Sequence, residues 1–100
     1  MLKHELKMLG QEQEGNCKFH GVVPFATRNF IETFGEEWRE IALTALHKIN
    51  TEQKHPDYLQ VFEYNGERFW VISDFEDDAK LENYKGLDYF YITFLMPGDY

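Results

Sequence analysis

DYLQVFEYNGERFWVISD, residues 57–74, reads as a β-hairpin closed by Asn65-Gly66. Asn-Gly between two alternating apolar runs is a strong hairpin signal, because a type I′ turn needs positive φ at both central residues. Gly meets that need without strain and Asn with little. A two-residue loop sets the register. Tyr64 faces Glu67, Glu63 faces Arg68, Phe62 faces Phe69, Val61 faces Trp70, Gln60 faces Val71 and Leu59 faces Ile72. Opposite charges, paired aromatics and a β-branched–aromatic pair each support it, at about 0.2–1 kcal/mol per pair.

Side chains alternate along a strand, so the hairpin has two faces. One carries Leu59, Val61, Trp70 and Ile72 and reads as the core face. The other carries Tyr58, Phe62, Tyr64, Phe69 and Val71, with Gln60 among them. A half-buried hairpin should show one clearly polar face. Neither face is polar here, so the Tyr-bearing face is expected either to be covered within the chain or to meet a partner.

Working outward, the preceding segment carries the clearest helical signal. Trp38, Ile41, Ala42, Ala45, Leu46 and Ile49 form one apolar stripe at helical spacing. Glu36 and Glu37 suit the start of that helix, and Asn50 or Thr51 its end. Thr27 reads as the N-cap of a shorter helix, Arg28 to Phe34, which Gly35 stops. Pro56 holds His55 outside the helical region. Met1 to Leu9 reads as a further short helix with Leu2, Leu6 and Leu9 on one side, stopped at Gly10. Gln11 to Gly15 is a polar loop. Asn16 to His20 reads as a short edge strand, limited by Gly21 and Pro24.

Beyond the hairpin, Phe75 to Lys85 is acidic, with one helical turn expected over Ala79 to Tyr84. Leu87 to Met96 reads as a third strand that Pro97-Gly98 ends. Helices followed by strands predict an α+β domain over residues 1–100. Its N-terminal helices would pack on one face of a three- to four-stranded antiparallel sheet. The Trp38–Ile49 stripe would meet Leu59, Val61, Trp70, Ile72, Phe90, Ile92 and Phe94. Tyr58, Phe62, Tyr64, Phe69, Tyr89 and Tyr91 would lie opposite.

An apolar content of 43% excludes a disordered chain. With Cys17 alone, no intrachain disulfide forms, which fits a reducing cytoplasm. No signal peptide or membrane span is expected. Net charge is −8 and unevenly placed: residues 56–100 hold three basic and ten acidic side chains, against three and three in residues 1–27. Direct binding to nucleic acid is disfavoured, because that needs clustered Lys and Arg. A partner protein with a basic surface is favoured.

Candidate chemistry is sparse. Asp74, Glu76, Asp78 and Glu82 match positions 1, 3, 5 and 9 of a calcium loop, but Ala79 and Lys85 replace its Gly and closing Glu. A solvated turn is the better reading. Cys17 and His20 have the spacing of half a zinc site with no second half, and His47 and His55 do not complete it. Nothing local activates Cys17 as a nucleophile. Phosphate-binding and hydrolase motifs are absent from the sequence. No catalytic residue, metal ligand or cofactor is therefore expected, and the aromatic face lacks the basic groove of a base-stacking platform.

The order TRNFIETFGEEW, DYLQVFEY and FLMPGDY, within residues 27–100, resembles small proteins carried on bacterial phages and other mobile elements. That resemblance implies an anti-CRISPR or anti-restriction context, in which acidic proteins imitate the phosphate charge of DNA. The expected function is a non-enzymatic acidic binding module. Its contact residues would be Asp74, Glu76, Asp77, Asp78 and Glu82 with Tyr58, Tyr64, Tyr89 and Tyr91, set against a basic site such as a nuclease effector's channel. The alternatives are a homodimer paired through the Tyr-rich face, and a small enzyme using Cys17 or a His.

Overall fold

The central hairpin forms in the expected register. β3 (Leu59–Tyr64) and β4 (Glu67–Ser73) pair antiparallel from Leu59↔Ile72 to Tyr64↔Glu67. Asn65 and Gly66 have φ of 52° and 81°, as a type I′ turn demands. Phe62 and Phe69 stack at 5.4 Å with their planes 11° apart, and Glu63 and Arg68 approach to 3.8 Å. The computed structural model describes residues 1–15, 17, 19, 23–73 and 91–99.

Around the hairpin lie β1 (Leu6–Leu9), β2 (Val23–Ala26), α1 (Arg28–Phe34), α2 (Trp38–Glu52) and β5 (Tyr91–Leu95). Short 3-10 turns occupy Gly35–Glu37 and Pro97–Asp99. The sheet order is β1-β3-β4-β5-β2, with β2 and β5 parallel and the other neighbours antiparallel. The α+β class stands, but the expected sheet does not. It has five strands rather than three or four, and it is mixed rather than antiparallel.

Two N-terminal segments cause the difference. Leu6–Leu9 is a strand, where helical spacing suggested a helix. Leu6 and Met8 alternate with Lys7 and Leu9, so the same residues also satisfy a period of two. A nine-residue helix is marginal alone. As a strand, the segment pairs Leu6↔Tyr64 through Leu9↔Val61 and completes the open edge of β3. The second addition, β2, contains Pro24, expected to limit a strand rather than sit inside one. It sits on an edge strand, where a missing N–H is tolerated. The edge strand proposed at Asn16 to His20 falls largely outside the described residues, as does the helical turn at Ala79 to Tyr84.

The helices cover one face, and it is the opposite face from the one expected. Phe62, Phe69 and Val71 are fully buried, with Tyr64 at 3% and Phe94 at 1% exposure, against Phe30, Ile41, Ala45 and Ile49 from the helices. Leu59, Val61, Trp70 and Ile72 are only half-buried on the outer face. Register places Phe94 beside Val71 and Ile92 beside Ser73, so β5 also turns its Phe inward with the Phe-bearing set. Ring area decides this: Phe30 and Phe34 lie edge-on to Phe69 at 5.1 and 5.4 Å, which favours the aromatic face as core. Phe62, Tyr64, Phe69 and Val71 of the Tyr-bearing hairpin face are therefore interior, while Tyr58 at its end stays exposed.

The helices follow their sequence signals. Thr27 caps α1 by accepting the Phe30 N–H at 3.1 Å, and Gly35, at φ 56°, ends it. In α2, Ile41, Ala42, Ala45 and Ile49 are buried and Trp38 and Leu46 pack at the margin, so the stripe faces the sheet. Glu36 and Glu37 form the 3-10 turn before α2 rather than its first turn, and the helix runs on to Glu52.

Candidate functional site

The acidic stretch leaves the sheet at a defined place. β4 ends at Ser73 and β5 begins at Tyr91, and these strands are neighbours with Ser73 opposite Ile92. Both ends of the intervening sequence therefore attach to one end of the sheet. Tyr58 is at that end too: its carbonyl accepts the Ser73 N–H at 2.9 Å, and its side chain is 41% exposed. Asp57 supports this corner without serving it as a contact. It is buried, and its Oδ1 accepts the Tyr58 N–H at 2.9 Å.

Among the expected contact residues, Tyr58 is the one that the structure places on the surface. Tyr64 is interior. Asp74, Glu76, Asp77, Asp78, Glu82, Tyr89 and the Tyr91 side chain lie outside the described residues, and so does the calcium-loop reading.

Behind this corner is a polar cluster that sequence reading missed. Gln60 is fully buried. Its Nε2 donates to Gln11 Oε1 at 2.7 Å and to the Asp57 carbonyl at 3.0 Å, and its Oε1 accepts from Gln53 Nε2 at 3.3 Å. Gln11 in turn accepts the Asp57 N–H at 3.0 Å and donates to the His55 carbonyl at 2.8 Å. A buried amide is costly unless paired, and this one is paired at both ends. The 11–17 segment is drawn against 55–57 by further bonds, Gly15 N–H to His55 and Cys17 N–H to Pro56. A Cβ on Gly15 would meet the Pro56 carbonyl at 2.8 Å, so only Gly permits that approach.

A second cluster joins the N-terminal segment to the helix junction. The Tyr64 hydroxyl donates to Glu37 at 2.9 Å and accepts the His4 N–H at 3.2 Å. The Lys3 N–H donates to the same carboxylate at 3.0 Å. The Lys3 N–H, helped by the hydroxyl, holds Glu37 below the usual carboxylate range, while burial and the neighbouring carboxylate push Tyr64 up. The arrangement accounts for a buried Tyr and needs no ligand.

Comparison with protein-family models, curated proteins and solved structures finds no match. Chemistry must therefore be argued from the site alone. Cys17 is buried at 7% exposure, while His47 and His55 are on the surface and the His4 ring lies edge-on to Tyr64 at 5.6 Å. Among the described residues, no three His, Cys, Asp or Glu side chains are gathered to hold a metal ion. Nor is any helix there long and apolar enough to cross a membrane.

One concave feature was not legible in the sequence. An apolar groove of about 360 Å³ runs between α2 and the edge strand β2. Pro24, Ala26, Ile31, Ala42, Leu46 and Phe94 line it, with Trp38, Arg39 and Leu43 along its helical rim. The helix forming one wall was visible in the Trp38–Ile49 stripe, but the strand forming the other wall was not.

Proposed function

We propose that the chain is a non-enzymatic binding module that presents its acidic segment and Tyr58 to a basic protein surface. The observation that carries this reading is the concentration of charge along the sequence. Residues 56–100 hold ten carboxylates and three basic groups, six of those carboxylates fall between Ser73 and Tyr91, and the strands that flank that stretch are neighbours beside exposed Tyr58. Dense carboxylates steer toward a basic site, and a tyrosine at the same corner adds apolar area with a polar tip. A nuclease channel that normally holds nucleic acid is the specific partner in this reading, as the resemblance to phage proteins implies. The enzyme alternative has less behind it, because Cys17 is buried.

The test is capture of a purified effector nuclease at low and high salt. Binding is expected to weaken with salt, and to fall at least tenfold when Glu76→Gln, Asp77→Asn and Asp78→Asn are combined. Retention of the nuclease by the neutralised variant would remove the mimicry reading. Tyr58→Ala, which leaves the charge intact, is expected to weaken binding with the salt dependence unchanged.

A further inference from the structure

We infer that the free edge of β1 is the docking surface for a second copy of this chain, paired antiparallel about a twofold axis at Leu6. Backbone direction sets which groups the edge offers. The Tyr58 carbonyl accepts the Ser73 N–H, so Gln60, Phe62 and Tyr64 turn their backbone groups to β4, while Leu59, Val61 and Glu63 turn theirs to β1. Glu63 and Val61 stand opposite Lys7 and Leu9, which leaves the N–H and C=O of Leu6 and Met8 directed away from the sheet. Among the described residues no strand lies beyond them.

Charge selects both the partner and the register. Exposed Glu5 and Lys7 flank Leu6, and among the described residues neither forms an ion pair. Glu63, beside Lys7 in the sheet, approaches Arg68 instead, at 3.8 Å. With Leu6 opposite the second copy's Leu6, the two exchange N–H···O=C bonds, and Glu5 falls opposite Lys7 on either side of the axis. These are non-hydrogen-bonded positions, where facing side chains come closest and opposite charges attract. Shifting one copy by two residues keeps the hydrogen bonds but sets Lys7 against Lys7 or Glu5 against Glu5. The charges that deter a foreign strand thus fit a second copy in one register. The ladder is short, because the His4 N–H is already taken by the Tyr64 hydroxyl at 3.2 Å, so the dimer is weak. It is also closed: both copies use the same edge, and the far edge, β2, carries Pro24.

The test is sedimentation of the whole chain at rising concentration, with amide hydrogen exchange. The parent is expected to form dimers at high micromolar concentration. As they form, exchange of the Leu6 amide should slow, while the Lys7 and Leu9 amides, already turned to β3, stay as they were. Lys7→Glu and Glu5→Lys should each weaken the dimer about tenfold, since each sets like charges opposite one another. Mixing the two variants, or combining both changes in one chain, should restore it. Net charge alone predicts otherwise, because Glu5→Lys makes the chain less negative and would then strengthen association. Both side chains are exposed, so the variants are expected to fold, and circular dichroism checks it. A parent that stays monomeric to millimolar concentration would overturn the inference. So would a Glu5→Lys variant that associates as well as the parent or better, a mixture that fails to associate, or dimers in which Leu6 exchange is unchanged.

Discussion

Gln60 shows how a buried amide can sit on a core face. The aliphatic and indole face read as the core, and Gln60 lay with the tyrosines on the face opposite, where an amide normally marks the wet side. In the fold its hydrogen-bonding groups are met by Gln11, Gln53 and the Asp57 backbone. Gln11 lies 49 positions away, and no local pattern announces it. Gln60→Leu is expected to destabilise the protein by about 1–3 kcal/mol, since it strands the Gln53 amide and the Asp57 carbonyl. Urea unfolding measures this, and a neutral result would mean that water replaces the lost partners. Asp99 makes a pH-dependent case. The Thr27 hydroxyl, the Met96 N–H and the Asn29 side chain hold its carboxyl below the ordinary value of 3.8. A depressed carboxylate contributes stability that is present above its unfolded pKa and lost as pH falls through the folded one. Glu37, lowered in the same direction, adds to the effect. Melting temperature is therefore expected to fall from neutral pH into the acid range. The gap between the parent and Asp99→Asn should close as it does.

At the scale of elements, legibility tracked how local the determining contacts are. The hairpin register, the Thr27 cap, the Gly35 stop and the α2 stripe each depend on residues within a few positions of one another, and each forms as read. β1 and β2 depend on distant partners, and neither was legible. Leu2, Leu6 and Leu9 suit a helical stripe as well as Leu6 and Met8 suit a strand. The choice falls to the open edge of β3, more than 50 residues on, which the segment's own composition does not encode. The two readings differ in a measurable way. On a helix Leu6 and Leu9 would share a buried side. In the strand Leu6 is buried at 5% exposure, whereas Leu9 stands opposite Val61 on the outer face. Leu6→Ala is expected to cost about 2–4 kcal/mol and Leu9→Ala clearly less. Equal losses would restore the helix. Of the candidate site, Tyr58 and its sheet-end position were legible because they belong to the hairpin. The groove was not, because β2 supplies one of its walls.

Among the described residues, the five-stranded sheet has β1 and β2 at its two edges, and each is blunted differently. At β1, exposed Glu5 just before the strand and exposed Lys7 within it flank Leu6. At the other edge, the Thr27 N–H bonds to Phe94, so Thr27 and Phe25 direct their backbone groups to β5 while Pro24 and Ala26 direct theirs outward. Proline at that outward position removes a donor that a second strand would need. A charge of −8 adds repulsion between copies, which salt screens over about 8–10 Å at physiological strength. Pro24→Val restores the donor and adds a residue that favours strands. Sedimentation of this variant is expected to show a higher weight-average mass than the parent at equal concentration, with the excess growing as salt rises. If the masses match at every salt concentration, the missing N–H is not what guards the edge, and the charge alone must suffice. An excess that shrinks with salt would point to ionic pairing between copies instead of sheet extension.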